Sequence, residues 1–94
     1  MISVKQPEHL PENSIERGEV MKTLIYQSNG RGITEIALLE LAPNSKVKRH
    51  KHTDDNEIYF YIITKEVEVC KIGEWHELEN LTKDVLYVLS IKWR

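Results

Sequence analysis

The chain has 94 residues, 40% of them hydrophobic and 30% charged, with a formal net charge of −2 at pH 7. That length holds one small domain, and the near-neutral balance removes the electrostatic reason to expect nucleic acid, since the basic KVKRHKH stretch is short and runs at once into DDNE. No apolar run approaches the ~20 residues that cross a bilayer, MISVKQPEHL lacks the apolar centre of a signal peptide, and the lone Cys70 excludes an internal disulfide framework, so a reducing, cytoplasmic setting is expected.

Residues 1–21 carry two of the three prolines and no sustained period. They read as an extended N-terminal arm, able to lend a strand to a neighbour, ahead of a domain spanning 22–94. KTLIYQ predicts a strand, SNGRG a turn rich in residues that tolerate positive φ, and ITEIALLEL a second strand. The Ala, Leu and Glu content of ITEIALLEL also suits a helix, but the flanking turns favour a strand. APNSK is a turn with Pro43 and Asn44 at its centre. Strands over VKRHKH and EIYFYII follow, separated by the polar turn TDDN. KEVEVCKI, a break at Gly73-Glu74, WHELEN, an LTKD turn and VLYVLSIKW complete the chain. Short strands at roughly ten-residue spacing predict an all-β barrel or sandwich.

Two of the four histidines stand one residue apart at His50 and His52, and Glu57 heads the next strand. In an extended strand residues i and i+2 face one way, so the two imidazoles would look together while Arg49 and Lys51 look the other way. A neighbouring strand would bring Glu57 opposite them, and two imidazoles with a carboxylate make a candidate divalent-metal site. His76 could complete a shell of three histidines and one carboxylate. Each residue also has a plainer reading: a histidine pair in a solvated basic stretch, a surface glutamate, or a partly buried histidine beside Trp75. Asp54 and Asp55 read as turn residues, Tyr59 and Tyr61 as core aromatics or as groups lining a pocket, and Cys70 as a small buried hydrophobe.

The spacing from His50 and His52 to Glu57 resembles the first motif of the cupin superfamily. That motif opens with a glycine six residues before the first histidine and closes with one seven residues after the glutamate; here those places hold Asn44 and Thr64. Asn tolerates the left-handed region better than most residues, and β-branched Thr does not. Gly73, His76 and Asn80 resemble the end of the second motif, with Lys71 where the family has a proline. The resemblance covers residues 22–93. It implies a small cupin-type β-barrel in which His50, His52, Glu57 and His76 bind one divalent transition metal ion (Fe, Mn, Ni, Cu or Zn). Cupins place a strand hairpin between the motifs, whereas only eleven residues separate Thr64 from His76 here. The barrel is therefore expected to be abbreviated, and in a second alignment KEVEVCKI-GE-WHELEN is itself that hairpin and the second motif is absent.

The resemblance implies a fold and a metal but no single reaction. One expectation is a metal-dependent enzyme acting on a small polar metabolite such as a sugar, a sugar acid or an oxygenase-type substrate, with Tyr59 and Tyr61 lining the pocket. Another is a non-catalytic module that binds a small ligand or a metal, and a third is a degenerate cupin scaffold. A chain of this size buries only roughly 60–65% of its unfolded surface, and an abbreviated barrel leaves sheet edges open. A homodimer, with strands exchanged through the arm, is therefore expected.

Overall fold

The computed structural model describes residues 5–94, so the first four residues of the expected arm lie outside the described part. The described residues form nine strands: β1 (Glu8–His9), β2 (Ile15–Arg17), β3 (Val20–Gln27), β4 (Ile33–Leu41), β5 (Lys46–His50), β6 (Asn56–Tyr61), β7 (Val67–Cys70), β8 (His76–Glu79) and β9 (Leu86–Trp93). A 3-10 turn, Glu12–Ser14, joins β1 to β2. Strand pairing is antiparallel throughout, giving one six-stranded sheet in the order β1-β3-β4-β9-β6-β7 and one three-stranded sheet in the order β2-β5-β8. This is the all-β architecture expected from the sequence. ITEIALLEL forms β4 entire: its period-2 set Ala37, Leu39, Leu41 is buried while Ile36, Leu38 and Glu40 are only half-buried.

The two sheets face one another across a core of Val20, Leu39, Leu41, Val47, Tyr59, Cys70, Leu78 and Val88. Burying each of the larger aliphatic side chains contributes about 1.5–3 kcal/mol. Two contacts lock the turns at this end. Asn80 is buried, and its side-chain amide donates to the carbonyls of Leu41, Ala42 and Asp84 while its oxygen accepts from Thr82, tying the turn after β8 to the turn after β4. Gly18 sits at φ 77° against buried Ser45, whose hydroxyl accepts from the Glu19 N–H. A Cβ at Gly18 would stand 2.8 Å from Ser45 Cα, so neither the conformation nor the space admits a side chain.

The segment 8–17 pairs within this same chain: β1 lies against β3 (Glu8 opposite Lys22) and β2 against β5 (Ile15 opposite Val47), with Leu10 and Ile15 packed on the core. β3 begins at Val20, two residues before the division drawn from the sequence. β7 pairs with β6 and β8 with β5, in different sheets, so the Gly73 turn (φ 81°) carries the chain from one sheet to the other. The hairpin of the second alignment, KEVEVCKI folding back on WHELEN, does not form. Asn44 adopts φ 59°, as a residue in the family's glycine place should; after β6 the positive φ falls on Lys65 (62°), which spares Thr64 the strain.

β1 and β7 are edges of the large sheet, β2 and β8 of the small one. On the outer face of the large sheet two cross-strand rows are apolar over four strands. Ile36, Ile91, Ile58 and Val69 stand opposite one another in turn, and so do Leu38, Leu89, Phe60 and Val67. Antiparallel sheets with one solvated face normally alternate apolar inward with polar outward; here both faces are apolar.

Candidate metal centre

His50 closes β5, and a bulge between Val47 and His50 resets the strand so that both face inward, Val47 opposite Leu78 and His50 opposite His76 on β8. His52 lies beyond the end of β5, in the loop before β6. That loop is anchored by Asp55, which accepts hydrogen bonds from Thr34 (3.1 Å) and from Arg94 (2.8 Å). Glu57 comes from the other sheet, on β6 between Cys70 and Lys92. The sequence reading placed His50 and His52 on one strand with Glu57 on its pairing partner. The histidines instead come from a strand end, a loop and a second strand, and the glutamate reaches them across the barrel.

The four converge. One ligand atom from each of His50, His52, Glu57 and His76 lies within 4.8 Å of all the others, and these four residues could hold a metal ion. The His50 and His76 ring centroids are 4.3 Å apart, those of His52 and His76 5.0 Å. His50 Nδ1 donates to the Lys48 carbonyl at 2.7 Å and His76 Nδ1 to that of Glu74 at 3.2 Å. Each bond fixes the tautomer that leaves Nε2 as a lone pair aimed into the cluster, the arrangement a ligating histidine needs. Burial lowers the His50 pKa below its ordinary value, which favours the neutral, metal-competent ring.

Glu57 is 3% exposed, and every part of its carboxylate is engaged. Oε1 accepts from His52 Nε2 (2.9 Å) and from the Tyr59 hydroxyl (2.8 Å), while Oε2 accepts from the Ser90 hydroxyl. Burial alone would raise its pKa, but hydrogen bonds from His52, Ser90 and Tyr59 and the nearby Lys92 charge outweigh it and hold the carboxyl at about 2. Glu57 is thus an anion kept inside the barrel. His76 shows what that anion is for. Its Nε2 is buried and makes no hydrogen bond, although Glu57 Oε1 is 3.3 Å away. A buried, unpaired ring nitrogen costs about 1–3 kcal/mol, and here it points at two more imidazoles and a carboxylate. Three imidazoles and one carboxylate fit Fe, Mn, Ni, Cu or Zn.

Tyr59 is buried, lines the cavity, and spends its hydroxyl on Glu57; burial and the Glu57 charge push its phenol far above the usual range. Tyr61 is half-buried against the core, away from the cavity lining, and burial raises its phenol to about 12. Cys70 is buried opposite Glu57 in the β6–β7 pairing, its thiol pushed up to about 12 by burial and by Glu68. His9 stands apart, exposed, with its Nδ1 3.4 Å from a Glu19 carboxylate oxygen.

A cavity of about 350 Å³ opens onto the cluster. Leu39, Val47 and Leu78 are among its apolar lining, and Ser90, Lys92, Glu35 and Lys22, none of them singled out by sequence reasoning, are among its polar lining. Glu35 on β4 shares a face with Ala37 and Leu39, Ser90 and Lys92 on β9 share one with Val88, and Lys22 on β3 stands opposite Leu39. Polar residues on the buried face mark a lined cavity.

No protein-family model matches the sequence, and no curated protein matches it. Solved structures do. A Thermotoga maritima protein described as a predicted oxalate decarboxylase superposes with a TM-score of 0.81 at 24% identity, over 94% of this chain and 91% of that one. A cupin 2 conserved barrel domain protein from Rhodopseudomonas palustris gives 0.69 at 12% identity, over 98% and 71% of the two chains. A cupin-2 domain from Rhodospirillum rubrum gives 0.68 at 11% identity, over 98% and 69%. The chain has the cupin fold. Within that fold it carries a three-histidine, one-glutamate group able to hold a metal, and none of the described helices is long and apolar enough to cross a membrane.

Proposed function

We propose that this protein is a metal-binding cupin that holds one divalent transition metal on His50, His52, Glu57 and His76 and admits a small polar metabolite to the cavity beside it. The observation that carries this reading is the buried, unpartnered His76 Nε2 aimed at an ionised, equally buried Glu57. Such a pair costs stability in the absence of a cation and gains it in its presence. A metal held there would supply Lewis-acid chemistry. The chain's own contributions are separate. Lys48 and Glu74 carbonyls hold the histidine tautomers of His50 and His76, Tyr59 and Ser90 hold the Glu57 carboxylate, and Leu39, Val47 and Leu78 give the cavity an apolar wall. Catalysis is favoured over simple sequestration by the cavity, which gives a ligand direct access to the cluster, and by the likeness to a predicted decarboxylase. Elemental analysis of the purified protein beside a His50→Ala/His52→Ala variant tests the metal. About one transition-metal ion per chain, lost in the variant, supports the reading. No metal in the parent, after incubation with Fe(II), Mn, Ni and Zn in turn, refutes it.

The assembly we propose is a homodimer through the outer face of the large sheet. The rows Ile36-Ile91-Ile58-Val69 and Leu38-Leu89-Phe60-Val67 contain no charge, so a second copy related by a twofold axis meets no like-charge repulsion. Val67 and Val69 are 54% and 49% exposed at the edge strand of that face, the place such a contact would cover.

A further inference from the structure

Across the inner face of the large sheet runs a row of charges. Glu35 on β4 stands opposite Lys92 on β9, and Lys92 opposite Glu57 on β6. One oxygen of Glu35 lies 3.2 Å from Lys22 Nζ and 3.5 Å from Lys92 Nζ, so two ammonium groups converge on a single carboxylate. All three side chains line the same cavity as the metal cluster, and all are largely withdrawn from solvent, with side-chain exposures of 29%, 20% and 13% for Lys22, Lys92 and Glu35. Lysine stems can reach water almost anywhere on a surface of this size. The cavity lining as a whole carries four cationic side chains, Lys22, Lys48, Arg49 and Lys92, against two carboxylates, Glu35 and Glu57, a positive excess in a protein whose total charge is −2.

We infer that Lys22 and Lys92 form the recognition site for the carboxylate of a small anionic metabolite, whose other end faces the His50, His52, Glu57 and His76 cluster. The inference deepens the metal-binding reading and rests on it only for the second half of that statement. Each ammonium has three donors and gives one direction to Glu35. A ligand carboxylate on the cavity side can bridge the same two ammoniums as Glu35 does from the wall, with its charge compensated in a low-dielectric enclosure. Glu35 has a definite part in this. It keeps both lysines in place while lowering the local charge, so it trades affinity for positioning. A divalent ion on the cluster adds to the same positive field, which selects anions over neutral sugars. A cavity of about 350 Å³ limits the ligand to a compact molecule.

Binding of malonate, of neutral malonamide and of inorganic phosphate to the full chain, by titration calorimetry with and without Mn(II), tests this. The expected result is malonate binding that weakens at least tenfold in Lys92→Met and in Lys22→Met, returns in large part in Lys92→Arg, and strengthens several-fold in Glu35→Gln, with malonamide silent. A purely structural role for Glu35 predicts no gain on its neutralisation. Metal content measured on the same samples separates the two readings. Lysine-dependent malonate binding by a protein that takes up no metal upholds the anion site and removes the metal. Malonate affinity indifferent to both lysines in a metal-loaded protein overturns the anion site and leaves the metal. Equal binding of malonamide overturns it too, and tighter binding of phosphate than malonate overturns the carboxylate assignment.

Discussion

His76 Nε2 and Glu57 Oε1 lie 3.3 Å apart inside the barrel, one without a hydrogen bond and the other ionised and held by three donors. An apolar side chain in place of that imidazole removes a desolvated, unsatisfied nitrogen. His76→Leu should therefore leave the metal-free protein as stable as the parent or more so. Metal added at about a hundred times its Kd should stabilise the parent by about 2.7 kcal/mol and leave His76→Leu unmoved. Thermal melts with and without metal check both halves. A site kept at the expense of stability is common where function requires it.

The pH dependence of the metal-free protein has a definite sign. Glu57 is depressed from 4.5 to about 2, so its contribution is present above about 4.5 and is lost as pH falls through about 2; the full effect is on the order of 3 kcal/mol. His50 is also depressed, and a base that resists protonation when folded loses stability as pH falls below its ordinary value of 6.5. Both push the same way. Urea midpoints should fall steadily from pH 7 to pH 3, and Glu57→Gln should flatten the lower part of that slope. A midpoint that rises on acidification would contradict the assignment.

Gly18 and Gly32 both hold positive φ, 77° and 84°, and differ in surroundings. A Cβ at Gly18 meets the Ser45 backbone and hydroxyl, while at Gly32 it meets nothing within 4 Å. Gly32→Ala should cost about 1 kcal/mol of conformational strain. Gly18→Ala adds a clash that only backbone movement relieves, for about 3 kcal/mol in total. Chemical denaturation of the two variants side by side separates strain from space; equal losses would show that Ser45 yields freely.

The outer face of the large sheet supplies a test of assembly. Sedimentation should find the parent as a dimer and Phe60→Glu or Ile91→Lys as a monomer with an unchanged β-sheet circular dichroism spectrum. A monomeric parent at micromolar concentration would show that this face is covered by something other than a second copy.

The strands were legible because turn residues bracket them: SNGRG before β4, Asn44 before β5 and Gly73 before β8 mark where the chain must reverse. The four metal-site residues were legible as a resemblance in spacing. Their real geometry was not, since it depends on a bulge before His50 and a sheet-to-sheet crossing at Gly73, and neither leaves a period in the sequence. Lys22, Glu35, Ser90 and Lys92 escaped for a different reason. In ITEIALLEL and VLYVLSIKW both faces carry apolar residues, so alternation does not say which face is inward, and a lysine or glutamate reads as surface by default. Tyr61 illustrates the converse: it shares a face with Tyr59 two residues away, yet lies farther down the sheet, where the cavity has closed into packed core.

Anomalous diffraction from a crystal of the full chain loaded with Co(II) or Mn(II) tests the central claim most directly. The account predicts one strong peak at roughly 2.0–2.3 Å from a nitrogen of each of His50, His52 and His76 and from a Glu57 oxygen. A fully loaded crystal with no peak among those four side chains, or with its metal on exposed His9 instead, would contradict it.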